Sequence, residues 1–151
     1  MRDRLKDVLT VSLKAGEKRR VATVRLILAA IKDRDIAVRS DGQTDGVSDK
    51  EILAILQKMV KQRRESTILY REGGRLELAA QEEEEITIIE EFLPQQMGQE
   101  EMAVAVGEVV AESGATSLKD MGGVMGLLKE RYGGRMDFAK AAGQVKSRLS
   151  R

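Results

Sequence analysis

The residues of this sequence that could do chemistry are concentrated in KDMGGVMGLLKERYGGRMD, residues 119–137. Five of the chain's fourteen glycines stand there among lysine and arginine, a composition also found in loops that hold phosphate groups. A P-loop, however, requires G-x-x-x-x-G-K-[ST] between a strand and a helix. Lys129 instead follows Gly126 by three residues, with no Ser or Thr after it. A dinucleotide site requires G-x-G-x-x-G after a strand, and the glycines do not have that spacing. The segment therefore matches neither kind of nucleotide site.

The same segment has the apolar spacing of a helix. Met121, Val124, Met125 and Leu128 recur at intervals of three and four residues, which predicts a short amphipathic helix. Each glycine within a helix costs roughly 1 kcal/mol relative to alanine. We therefore interpret the glycines as positions where a neighbouring backbone approaches closely, and Gly133–Gly134 as a tight turn.

The composition excludes several kinds of catalytic and metal site. The chain contains neither cysteine nor histidine, so it has no thiolate nucleophile, no disulfide and no imidazole base. The serines are scattered, at positions 12, 40, 48, 66, 113, 117, 147 and 150. The acidic run 82–85 cannot converge on one ion, because consecutive helical residues point about 100° apart. We expect a solvated acidic face, no catalytic residue, no metal and no cofactor.

The charges are distributed unevenly along the chain. Residues 1–75 hold 18 Lys/Arg against 11 Asp/Glu, residues 76–116 hold 11 Glu and no basic residue, and residues 117–151 hold eight basic against three acidic residues. Two interpretations are open. The basic regions can present faces to an anionic partner, or the charges can form solvated helix faces joined by internal salt bridges.

Helical periodicity extends over almost the whole chain, and no stretch alternates as a strand would. We predict an all-α, multihelical fold. The first two helices carry apolar stripes at Leu5, Val8, Leu9 and Leu13, ending at Gly16, and at Val21, Val24, Ile27, Leu28 and Ile31. Residues 40–47, SDGQTDGV, predict a loop.

A capping box at Ser48–Glu51 predicts the start of the third helix, and Gly73–Gly74 predicts its end. Its stripe is Ile52, Leu56, Met59, Val60 and Arg63. The fourth helix carries Leu76, Ala79, Ile86, Ile89 and Leu93 and is expected to stop at Pro94, the one proline in the chain.

The segment FLPQQMG predicts a hinge between an N-terminal helical domain, 1–93, and a small three-helix domain, 94–151. The three helices are expected over about 99–113, ending at Gly114, from Ser117, and after Asp137 as N-cap. The last should bury Phe138, Ala142, Val145 and Leu149 and leave Lys140, Lys146, Arg148 and Arg151 in solvent.

The N-terminus, MRDRLKDVLT, spreads charges among apolar residues and so lacks the apolar core of a signal peptide. No apolar run approaches the roughly 18 residues of a membrane span. We expect a soluble, cytoplasmic protein without a membrane partner.

Four segments together resemble the YqeY family, small bacterial proteins that share a domain with the tail of GatB, a subunit of aspartyl/glutamyl-tRNA amidotransferase. They are RLILAAIKD (25–33), KQRRES (61–66), GGRLELAAQEEEEITIIEEFLPQQM (73–97) and DMGGVMGLLKERYGGRMD (120–137). The resemblance implies a two-part helical fold with a compact three-helix end. It also places the chain near carbon–nitrogen ligases that use glutamine as amido donor. In the amidotransferase the similar tail helps to hold tRNA, while the chemistry takes place elsewhere. Gly123 stands where many relatives are expected to have lysine, which removes one possible phosphate contact.

Two functional hypotheses follow, and neither makes the chain an enzyme on its own; an enzymatic activity without a recognisable motif stays open as a third. The first is an accessory module for tRNA or another structured RNA. Two Tyr, two Phe and no Trp would favour recognition of backbone and shape over base stacking. Its candidate phosphate contacts are Lys129, Arg131, Arg135, Lys140, Lys146 and Arg148. The second is a protein-interaction module that meets an acidic partner through a basic face on the N-terminal helices. That face comprises Arg19, Arg20, Lys58, Lys61, Arg63 and Arg64.

Overall fold

The computed structural model describes residues 1–150, and Arg151, expected in solvent, lies outside them. The described chain contains seven α-helices, one short 3₁₀ turn and no strand, which confirms the all-α fold. It divides into two compact units, unit 1 (Met1–Pro94) and unit 2 (Gln95–Arg151). Unit 1 contains α1 (Arg2–Ala15), α2 (Lys18–Arg39), α3 (Asp49–Glu72) and α4 (Leu76–Glu90). Unit 2 contains α5 (Gln99–Ser113), the 3₁₀ turn (Leu118–Asp120), α6 (Met121–Tyr132) and α7 (Phe138–Leu149).

The helix ends that the sequence marks most clearly are where we predicted them. Ser48 Oγ accepts from the Glu51 amide at 3.2 Å, and Glu51 accepts from the Ser48 amide at 2.6 Å, which completes the capping box. Gly16 and Gly114 end α1 and α5 with φ of 71° and 69°. In this left-handed region a residue with Cβ is strained.

Two details of the predicted N-terminal stripes and helix ends are wrong. On α1, Leu13 is 50% exposed and Ser12 is buried in its place. Ser12 lies seven residues, about two helical turns, beyond the buried Leu5 and therefore stays on the same face of the helix. The fourth helix ends at Glu90 and not at Pro94. The amides of Glu91, Phe92 and Leu93 there bond carbonyls three residues back, so the chain tightens before it reaches the proline.

The core of unit 1 lies among its four helices and contains the side chains Leu5, Val24, Ile27, Ile31, Val38, Val47, Ile52, Leu56, Met59, Val60, Ile88, Ile89 and Phe92. A polar contact that the sequence did not reveal closes one end of it. The guanidinium of Arg2 donates twice to Asp35, each bond at 2.8 Å, and the Val47 amide donates to the same carboxylate at 2.8 Å. The Arg2 hydrogen bond and the Val47 amide lower the pKa of Asp35 to about 2.

The core of unit 2 is separate and smaller. It consists of Met102, Ala105, Val106, Val109, Val124, Leu128, Met136, Ala141, Val145 and Leu149. On α7 the fully buried alanine is Ala141, whereas the predicted Ala142 is half-buried. Asp137 caps α7 as predicted, since its side chain accepts from the two amides that follow in the first turn.

Candidate nucleic-acid interface

The glycines of α6 do not have the role that we predicted for them. Gly122, Gly123 and Gly126 are exposed, and a Cβ added to any of them would meet no atom within 4 Å. No neighbouring backbone therefore approaches the helix at these positions. Their φ angles are also outside the positive range, so neither packing nor backbone conformation requires glycine. Each of these glycines makes the helix less stable than alanine would, by roughly 1 kcal/mol. Neither the contacts nor the backbone angles of the described residues offset this loss.

The exposed glycines leave part of the solvent side of α6 without side chains. Val124 and Leu128 are buried on the opposite side. Gly122, Gly126 and Lys129 are spaced i, i+4 and i+7, so they line up along the solvent side of the helix. Lys129 is exposed, and within the described chain its amine forms no ion pair. We call these three residues the bare face of α6. It combines an accessible backbone with one positive charge that is in no ion pair, next to the exposed Glu130, which follows Gly126 by one turn.

Arg135, a predicted phosphate contact, has a structural role in this fold. Its Nε donates to the Gln95 carbonyl at 3.1 Å, and its Nη2 pairs with Glu101 at 3.0 Å. The residue follows the tight turn predicted at Gly133–Gly134, where the Arg135 amide bonds the Tyr132 carbonyl at 3.0 Å and Gly134 has φ 86°. Arg135 thereby ties this turn to the segment before α5.

The other two predicted arginines are also engaged within unit 2. Arg131 forms an ion pair with Glu112 of α5, and this hydrogen bond raises the pKa of Arg131. Arg148 donates from Nη2 to the Ala103 carbonyl at 3.1 Å. Its guanidinium lies over Gly107, where a Cβ would come within 3.2 Å of it. The close neighbour that we expected at the glycines of α6 is therefore found at Gly107 of α5, where it is the Arg148 side chain and not a helix backbone.

The two predicted lysines of α7 are exposed and form no ion pair among the described residues. Lys140 lies in the first turn and Lys146 near the last. Because each helical residue rotates the side-chain direction by about 100°, six residues rotate it by about 600°. The side chains of Lys140 and Lys146 therefore point roughly 120° apart. The structure thus does not bring the six predicted residues together on one face. It leaves the three lysines available and uses the three arginines internally. Lys119, which is not among the predicted contacts, is also exposed in the 3₁₀ turn before α6.

The predicted basic face of the N-terminal helices is largely neutralised by α4. Arg19 pairs with Glu84 at 3.2 Å and Arg64 with Glu90 at 2.8 Å. The remaining pairs with α4 and with Glu91, which directly follows it, are Arg19–Glu85, Arg20–Glu91, Arg63–Glu82, Arg63–Glu85 and Arg71–Glu83. Of the predicted face only Lys58 and Lys61 are exposed without an ion pair in the described chain. The acidic segment therefore serves as the internal counter-charge of the basic helices.

The acidic run on α4 is also less solvated than we predicted. Glu85 is buried and accepts from Arg63 Nε at 2.9 Å, while Gln81 donates to its other oxygen at 3.5 Å. Burial raises the pKa of Glu82, and the negative charge of Glu85 acts in the same direction, against the opposing charge of Arg63. Within residues 1–150 no group of three acidic side chains has the arrangement of a metal site.

Counted by unit, the charge is nearly balanced. Residues 1–94 hold 18 basic and 18 acidic residues, and residues 95–151 hold eight and seven. The net charge of a unit therefore does not explain an affinity for anions, and any such affinity depends on local groups of unpaired lysine. Among the described residues no helix is both long and apolar enough to cross a membrane.

The chain matches a family model and a curated protein. A family model described as Yqey-like protein matches residues 2–149. A protein of Schizosaccharomyces pombe described as uncharacterised is 27% identical over 84 residues, which cover 56% of this chain and 64% of that relative. The chain thus spans less than two thirds of the length of the curated relative it matches.

Proposed function

This chain belongs to the YqeY family, and we propose that it is a non-catalytic module that holds tRNA through unit 2. The proposal combines three supports: the resemblance of unit 2 to the tail of GatB, the bare face of α6, and the unpaired lysines around it. The sequence offers no thiol, imidazole or clustered serine for glutamine hydrolysis. The amidotransferase relationship therefore concerns the holding of tRNA and not the transfer of ammonia.

The bare face of α6 is the observation that carries the proposal. A glycine has no Cβ, so a ligand can approach the helix backbone more closely there than at any other residue. Gly122 and Gly126 create such an approach, and Lys129 follows them on the same side with an unpaired amine. A phosphate–ribose backbone lying along this face would contact the accessible helix backbone at Gly122 and Gly126 and the positively charged amine of Lys129.

Lys140 and Lys146 add positive charge on α7. Because they point in different directions, we assign to them separate phosphates and not one shared site. Unit 2 presents no tryptophan and few aromatic side chains, so few side chains are available to stack on the unpaired bases of an RNA. The expected mode is recognition of the backbone and shape of a folded RNA, with little dependence on sequence.

The test is the binding of purified protein to bulk tRNA, followed by fluorescence anisotropy at several salt concentrations. Three phosphate contacts predict a slope of about −2 to −3 for log K against log salt. Reversing the three lysines together, as Lys129→Glu, Lys140→Glu and Lys146→Glu, should abolish binding.

The matched control reverses three exposed, unpaired lysines of α3, as Lys50→Glu, Lys58→Glu and Lys61→Glu, and so gives the same net charge. It should bind tRNA within about twofold of the unmodified protein. The proposal is wrong if the unmodified protein fails to bind at about 50 mM salt. It is equally wrong if the two triple variants lose binding to the same extent.

A further inference from the structure

Four basic residues recur at every seventh position of α2: Lys18, Arg25, Lys32 and Arg39. Seven residues advance the helix by about 10.5 Å and fall about 20° short of two full turns. The four side chains therefore form a row along one flank of α2, roughly 30 Å long. We call it the basic row.

The basic row is uncompensated within unit 1. All four side chains are exposed, and none forms an ion pair within the described part of the chain. Arg19 and Arg20 of the same helix, by contrast, are paired with Glu84 of α4 and with Glu91, which directly follows α4. Arg39 lies near enough to Asp35 to affect it, but that carboxylate is already bonded by Arg2. The row is thus charge that the fold leaves available.

An apolar stripe runs beside the basic row on the solvent side of α2. It consists of Ala22, Leu26, Ala29 and Ile36, at successive intervals of four, three and seven residues. All four are exposed, with Leu26 at 46% and Ile36 at 52%. This spacing is the one by which a helix packs against another helix. The two alanines allow close approach, and the two larger side chains supply anchors.

We propose that this face of α2 docks an acidic amphipathic helix of a partner protein. The apolar stripe would pack against the apolar stripe of the partner, and the basic row would meet carboxylates placed every seventh residue on the partner's flank. Asp33, the one acidic side chain on this face, is exposed and interrupts the apolar stripe, because it follows Ala29 by four residues and precedes Ile36 by three. The proposal concerns unit 1 alone and does not depend on tRNA binding by unit 2.

The observations favour a protein helix over a nucleic acid at this face. A phosphate backbone would use the basic row but would leave Leu26 and Ile36 in contact with charged and polar groups. The face also has no aromatic side chain on which a base could stack. Apolar anchors flanked by charge are instead the composition of a helix-docking surface.

The test uses three labelled probes at low and moderate salt, measured by fluorescence anisotropy. The first is a designed helical peptide of about three heptads, with leucine at helix-packing positions and glutamate at every seventh flanking position. The second is polyglutamate of the same charge, and the third is bulk tRNA. We expect the helical peptide to bind at least about tenfold more tightly than polyglutamate, because only the peptide offers an apolar stripe.

Three variants separate the contributions. The row variant is Lys18→Glu, Arg25→Glu and Lys32→Glu, and the stripe variant is Leu26→Gln and Ile36→Gln. Each should weaken peptide binding by about tenfold or more. The α3 control, with its three lysines reversed, should stay within about twofold. Thermal unfolding followed by circular dichroism checks that each variant is folded.

Each of the following results overturns the proposal. The unmodified protein does not bind the peptide at low salt, or it binds polyglutamate equally well. The α3 control weakens peptide binding as much as the row variant. The row variant loses tRNA but keeps the peptide, which makes the row a nucleic-acid surface. The protein self-associates, and the row variant prevents it, which makes a second copy the occupant.

Discussion

Replacing the three exposed glycines of α6 by alanine should separate the stability of unit 2 from its proposed function. The change is Gly122→Ala, Gly123→Ala and Gly126→Ala in one chain. None of the three has a positive φ, and an added Cβ would meet no atom within 4 Å at any of them. The substitution therefore brings no strain and no clash, and only the gain in helix propensity remains.

The expected gain in the free energy of unfolding follows from that propensity. Glycine to alanine in an exposed helix is worth about 0.5–1 kcal/mol per position, so the three together should stabilise unit 2 by about 2 kcal/mol. For a unit of this size that corresponds to a rise in Tm of roughly 10 °C. Thermal and urea unfolding of the full chain would measure it. Gly114→Ala is the contrasting variant, because φ is 69° there, and it should lower stability by about 1 kcal/mol.

The same triple variant should weaken tRNA binding, by roughly tenfold, since the methyl groups added at Gly122 and Gly126 hold an RNA backbone away from the bare face. A variant that is no more stable than the unmodified chain would refute the view that these glycines are structurally dispensable. A variant that is more stable but binds tRNA unchanged would leave the fold argument intact and refute the use of this face for RNA.

Three further predictions concern contacts inside unit 1 or inside unit 2. Arg63→Met should destabilise unit 1 by roughly 3 kcal/mol, because it leaves the buried Glu85 without its main counter-charge, and adding Glu85→Leu should restore most of the loss; urea unfolding of the single and double variants measures both. Asp35→Asn should lower stability by about 1–3 kcal/mol at neutral pH, because the charged Asp35 accepts two hydrogen bonds from Arg2. The lowered pKa of Asp35 means that its contribution is complete above about pH 4 and is lost as the pH falls through about 2, so variant and parent should converge in acid unfolding curves only at about pH 2 and below. Asp137→Ala removes the N-cap of α7 and should lower the Tm of unit 2 by an amount equivalent to about 1 kcal/mol, and an unchanged Tm in calorimetry would contradict the capping role.

The helix ends were predictable because the groups that make them are close in sequence. Ser48 caps an amide three residues away, Asp137 caps amides in its own first turn, and Gly16 and Gly114 reverse the chain locally. Periodicity likewise predicted which side of α3 is buried. In each case a single stretch of sequence contains both the cause and its effect.

The pairing of charges could not be predicted in that way. Arg20 meets Glu91 across 71 positions of sequence, and Arg2 meets Asp35 across 33. Such partners are chosen by the packing of whole helices, so no local pattern distinguishes a paired arginine from an available one. For this reason the sequence could not show that the predicted Arg131, Arg135 and Arg148 are engaged within unit 2. The basic row of α2 was visible in the sequence as a seven-residue spacing, but its availability became clear only from the contacts.

The ion pairs of the described chain divide the basic side chains by type. Every side-chain cation among them is an arginine, and no lysine takes part. Arginine presents a fork of donors that suits a fixed carboxylate, whereas lysine is a flexible point charge. Acylation of lysine amines would therefore remove positive charge from the surfaces proposed to bind partners and would leave the internal pairs untouched. The ion pairs that stabilise the fold of this protein thus depend on arginine, whereas the lysines carry positive charge that is available to partners.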